Sequence, residues 1–84
     1  MRPEKLEELL RRRPFVPVRV YLSDGTTYDI RHPEMALLTR STIDIGLTAQ
    51  QGSTIADKVV YCSLIHIEKA DQVQEEKDRH SGIG

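Results

Sequence analysis

The sequence predicts a mainly β fold: an N-terminal helix followed by a small, bent, five-stranded antiparallel barrel. Three observations carry this. Apolar and polar residues alternate in short runs between Phe15 and Glu68. An Asp24-Gly25 pair separates two of those runs. One short amphipathic segment precedes them all. Residues 1–70 are expected to form the single domain and residues 71–84 a flexible acidic tail.

The first element is a helix over residues 3–13. Pro3 suits a first turn, where no N–H is needed. Glu4, Glu7 and Glu8 come early and Arg11, Arg12 and Arg13 late, an order that complements the helix dipole. Leu6, Leu9 and Leu10 recur at i, i+3 and i+4 and form one apolar stripe. Pro14 ends the helix, because the residue before a proline leaves the α region. Three leucines cannot hold an isolated helix in water, so the stripe must dock. It is expected to cap an open end of the barrel.

From Phe15 to Leu22 the chain alternates, with Val16, Val18, Val20 and Leu22 on one face. Pro17 lacks a donor and marks a strand start or edge. Ser23-Asp24-Gly25-Thr26 is a tight hairpin signal, since glycine accepts positive φ. The return strand runs from Thr26 to Arg31, and His32-Pro33-Glu34 breaks it. Met35 to Leu38 is a short apolar run, and Thr42 to Thr48 alternates again. Ala49 to Lys58 is polar and reads as a mobile loop. Val59 to Ser63 is a strand, Ser63 marks a bend, and Leu64 to Glu68 is a short last strand. Beyond Lys69 apolar residues are sparse.

Size and charge exclude several functions. Eighty-four residues allow one small domain and no two-lobed enzyme. No run of about 18 apolar residues is present, so no membrane span is expected. Twelve basic against thirteen acidic residues give a formal charge of −1. The first 42 residues are net +2 and the last 42 net −3. A nucleic-acid binder usually carries a basic surplus. The lone Cys62 allows neither an internal disulfide nor a cysteine-rich zinc site. The stretch from Met1 to Arg13 lacks the apolar segment of an export signal, and the cytoplasm is the expected location.

Candidate sites are few. Cys62 and His66 share a face of a continuous strand but lie about 13 Å apart at ~3.3 Å per residue. A thiol and its base need roughly 3 Å, so the pair fails as a dyad. His32, Glu34 and His66 are the weak candidates for a metal site, without ligand spacing to support them. His32-Pro33-Glu34 is more simply a turn. Arg11, Arg12 and Arg13 with Arg19 could contact phosphates, and Tyr21 shares a strand face with Arg19 and could stack on a base. The glutamates of the same helix favour a solvated helix end instead. Gly52-Ser53-Thr54 lacks the lysine and the strand–loop–helix context of a nucleotide loop. No catalytic residue and no cofactor are expected.

Two resemblances bear on this chain. Pro14-Phe15-x-Pro17-Val18-x-Val20-x-Leu22-x-Asp24-Gly25, followed by Tyr28-x-Ile30-x-His32-Pro33-Glu34, resembles a group of short bacterial proteins. They share the pattern after a leucine helix, and the match covers roughly residues 4–68. It implies kinship and no activity. The helix, then Val20-Tyr21-Leu22-x-Asp24-Gly25, then Val59-Val60-Tyr61-Cys62-Ser63-Leu64-Ile65-His66-Ile67, is similar to the Sm-like family of small SH3-like barrels. That resemblance implies a helix plus a bent five-stranded barrel, ring assembly through strand edges, and RNA binding with Tyr61 among the contacts. The family's base-binding segment has no counterpart around Met35 to Leu38, and its late Arg-Gly pair falls on Tyr61-Cys62.

The expectation is therefore a non-enzymatic binding or assembly module. It would form a homo-oligomer or dock on a protein partner. The alternatives are an Sm-like RNA-binding ring, which the charge does not favour, and a small metal-dependent enzyme.

Overall fold

Pro14 decides where the first element stops. In a computed structural model describing residues 1–50 and 52–73, helix α1 spans Pro3–Arg11, two residues shorter than its charge pattern suggests. Arg12 is already extended, at φ −63° and ψ 142°. Arg13 Nη1 turns back to donate to the carbonyls of Leu10 at 3.0 Å and Arg12 at 2.7 Å. These carbonyls at the helix end thereby gain a donor. The Arg13-Pro14 peptide is cis. Leu6 and Leu9 are buried, so the stripe docks as expected.

Six strands follow: β1 (Val18–Leu22), β2 (Thr27–Ile30), β3 (Ala36–Leu38), β4 (Thr42–Leu47), β5 (Lys58–Ser63) and β6 (Ile67–Gln72). They form two three-stranded antiparallel sheets, in the orders β2-β1-β6 and β3-β4-β5. This replaces the single five-stranded barrel that the sequence suggests. The reason lies at His32-Pro33-Glu34, where a 3-10 turn over Pro33–Met35 interrupts the ladder. The apolar run after it pairs as a strand of its own, with Leu38 opposite Ile43.

Each strand forms for a local reason. β1 starts at Val18 and not at Phe15, because Pro17 offers a carbonyl but no N–H. Val73 uses that carbonyl, donating at 2.8 Å. The hairpin closes through Gly25 N–H to the Leu22 carbonyl at 3.0 Å and Leu22 N–H to the Thr26 carbonyl at 2.8 Å. Asp24 Oδ1 accepts from Thr26 N–H at 2.9 Å. Gly25 sits at φ +92°, where a side chain would be strained.

The last strand differs most from the sequence reading. Leu64–His66 is a 3-10 turn and not strand, so the bend foreseen at Ser63 takes three residues. β6 then runs through Asp71 and Gln72, which pair with Arg19 and Val18. The ordered fold thus extends past residue 70, and residues 74–84 of the expected tail lie outside the described residues. A register shift between Tyr21 and Leu22 brings Val20 opposite Ala70 but Leu22 opposite Ile67. This bulge points Ile67 and Ala70 into the core although three positions separate them.

The core lies between the sheets. Val18, Val20 and Ile30 face Ile43, Ile45 and Cys62, and Leu6, Leu9 and Leu64 complete it. None of the buried residues among those described is polar or charged. At about 25 cal/mol per Å², this apolar burial is the main source of stability.

Candidate functional site

The two sheets present unlike outer faces. On the first, Asp29, Arg19 and Asp71 lie in one cross-strand row, and Thr27, Tyr21 and Lys69 in the next. Arg19 donates from Nε to Asp29 Oδ1 at 2.7 Å and from Nη2 to Oδ2 at 3.0 Å. Two parallel bonds of this kind make a strong, directional pair. The hydrogen bond from Arg19, assisted by its charge and that of Arg31, holds the Asp29 carboxyl below the ordinary carboxylate range, against its partial burial. The same pairing pushes the guanidinium upward, so Arg19 is always charged. Lys69 Nζ sits 4.6 Å from the centre of the Tyr21 ring and 3.6 Å from Asp71. This sheet face is therefore paired within itself.

The residues considered for RNA are distributed over three elements. Arg11 and Arg12 lie on α1, 3.4 and 3.5 Å from Glu7 and Glu8 one turn back. Arg19 is engaged by Asp29 and Tyr21 by Lys69. Tyr61 stands on the other sheet. The structure does not bring these five groups onto one face.

His32, Glu34 and His66 do not meet either. His66 lies beside the β1–β2 turn, where its carbonyl accepts from Ser23 N–H at 2.8 Å. His32 follows the far end of β2, and Glu34 lies in the 3-10 turn beyond it. Among the described residues no group of three His, Cys, Asp or Glu could hold a metal ion. Cys62 is buried at the inner face. Burial, and then the charge of Asp44, pushes its thiol up, away from the thiolate that a nucleophile needs.

An open pocket of ≈ 560 Å³ lies where the end of β2 approaches β4 and the loop after it. Arg19, Asp29, Arg31, His32 and Met35 line one side and Gly46 to Ala49 the other. Gly46 leaves room for this approach. A Cβ there would stand 3.2 Å from the Ala56 Cβ and 3.3 Å from the Met35 Cε.

The second sheet's outer face is the opposite of the first. Leu37, Asp44 and Tyr61 form one row, and Gly46 and Val59 form the next. Leu37 is 64% exposed, Tyr61 74% and Val59 45%, so apolar surface faces water here. Oδ1 of Asp44 is enclosed in this row without a hydrogen-bond partner among the described residues. An acceptor in that position is costly unless a donor reaches it. β5 is also the free edge of its sheet. It has six residues, and Lys58 at its start is its one charge. The sequence reading missed this edge as a site. Its signal was Val59-Val60-Tyr61, an apolar run longer than a half-buried strand requires.

No protein-family model, no curated protein and no solved structure matches the chain. Among the described residues no helix is long and apolar enough to cross a membrane.

Proposed function

We propose that this chain is a binding and assembly module without chemistry of its own, which self-associates or docks on a protein partner through β5. The observation that carries this is the unguarded edge strand. A six-residue edge with exposed Val59 and Tyr61 and no central charge, proline or bulge is a template for another strand. Light scattering at micromolar concentration tests the reading. A mass above one chain, or a stoichiometric complex with a partner, is expected. A one-chain mass with no partner retained would count against it.

A second reading has its own support. The order of helix, hairpin, interrupted strand, β4, β5, 3-10 turn and a last strand pairing with β1 suits an Sm-like, SH3-like barrel. In that reading β2 and β3 are two halves of one bent strand, and the count returns to five. RNA binding by a ring would follow from the resemblance. Its check is the mobility of oligo-U and oligo-A RNA at low salt, where phosphate contacts are strongest. The internal pairing of Arg19 and Tyr21 makes an unshifted band the expected result.

A further inference from the structure

The backbone of β5 says what kind of strand can join it. Leu64 N–H donates to the Ser41 carbonyl at 2.8 Å, continuing the register that pairs Ile43 with Cys62 and Ile45 with Val60. In an antiparallel ladder, alternate residues exchange both bonds with the neighbour. Lys58, Val60 and Cys62 therefore turn their amides and carbonyls toward β4. The Thr39 N–H to Thr42 carbonyl bond at 2.9 Å agrees, since it assigns Thr42 and Asp44 to β3 and leaves Ile43 and Ile45 for β5. Val59, Tyr61 and Ser63 consequently direct their backbone groups outward, along the free edge.

The other edges differ in kind. β6 carries Glu68, Lys69 and Asp71 among its six residues. β2 has four residues and includes Asp29, and β3 has only three. Charges and shortness are the usual guards of an edge. β5 alone lacks both, and its sequence is complementary to itself. An antiparallel pairing centred on Val60 sets Val59 of each copy opposite Tyr61 of the other. That makes two aromatic to β-branched cross-strand pairs, which are favourable. Lys58 falls opposite Cys62 of the second copy, so no like charges meet. All four backbone groups of Val59 and Tyr61 on each side find partners.

We infer that two copies of this chain join β5 to β5, antiparallel about a two-fold axis at Val60, into one sheet of strand order β3-β4-β5-β5-β4-β3. The inference rests on the assembly reading above and names its partner as a second copy. One strand pair buries an area at the low end of specific interfaces.

Two measurements test it together. The first is the light-scattering mass of the unmodified chain at tens of micromolar. The second is oxidation of a Val60→Cys/Cys62→Ala variant by glutathione disulfide. Facing residues of a non-hydrogen-bonded antiparallel pair have Cα atoms about 4.5 Å apart, within the range a disulfide spans. The expected results are a two-chain mass and a disulfide-linked dimer joined at position 60. Should that variant fold poorly, the unmodified chain supplies the same information. In a sample mixing labelled and unlabelled copies, an intermolecular Hα–Hα contact at Val60 is expected. Tyr61→Lys is expected to raise the dissociation constant at least ~10-fold, with an unchanged circular dichroism spectrum. A multi-chain mass with neither the disulfide nor the Val60 contact would overturn this pairing and leave the assembly reading standing. A one-chain mass would overturn this pairing, and with no partner retained it would count against the assembly reading as well.

Discussion

β6 and β5 are both six-residue strands at the edge of a three-stranded sheet, yet they meet water differently. β6 sets Glu68, Lys69 and Asp71 along its length, with Lys69 near both the Tyr21 ring and Asp71. β5 sets Val59 and Tyr61 outward, and its one charge stands at its first residue. The two strands contribute comparably to the core, through Ile67 and Ala70 in one and Cys62 in the other. What separates them is therefore not folding. Ionic side chains on an edge are a means of refusing further strands, and their lack on β5 is what the proposed pairing rests on.

The strongest way to break the comparison is to remove the support under β5. Ile45 is fully buried on β4 and pairs with Val60. Ile45→Ala should destabilise the fold by about 3 kcal/mol, as large-to-small changes in a core do, lowering the urea midpoint and abolishing association with it. Next in size is the hairpin that supports the guarded sheet. Gly25→Ala forces a side chain onto φ +92° and should cost about 1–2 kcal/mol in the same assay, with association unaffected at concentrations where the chain remains folded.

Tyr61→Lys sharpens the contrast, because it gives β5 the kind of guard β6 already has. Tyr61 is largely exposed, so stability should change by no more than about 0.5 kcal/mol while the dissociation constant rises at least ~10-fold and the light-scattering mass falls toward one chain. The smallest effect lies on the paired face. Asp29→Asn removes the bidentate bond to Arg19, and partial exposure of both groups limits the loss to about 0.5–1 kcal/mol at pH 7. The folded carboxyl is held below its unfolded value, so the bond's contribution is complete above the unfolded pKa of about 3.9. It fades as pH falls through the lower folded value. Urea titrations of the two proteins should converge in acid and separate by pH 6.

Much of this fold is legible in the chain, and the illegible parts have physical causes. Asp24-Gly25 and the Val18–Val20 alternation identify the first hairpin, because turn chemistry and a one-sided core act locally. Ile43 and Ile45 identify β4 for the same reason. β6 escaped because its bulge moves Ala70 to the inner face, so Ile67 and Ala70 show a spacing that no regular strand has. The division into two sheets escaped because it depends on how far the 3-10 turn at Pro33 separates two pieces of chain, a matter of tertiary geometry. At the candidate sites, Arg19 and Tyr21 were legible as a cation and an aromatic on one strand. Their partners were not, since Asp29 and Lys69 reach them only through strand pairing.

The irregularity opposite Tyr21 and Leu22 also sets how this chain tolerates changes in length. The extra residue in β6 is what lets the segment after Ile67 resume with the correct parity toward β1. Deleting one residue between Ile67 and Ala70 would straighten the ladder and still leave both side chains pointing inward, two positions apart. Inserting one would also restore an even spacing and keep both side chains inward, but would slide everything after it by two residues along β1, setting Ala70 opposite Val18.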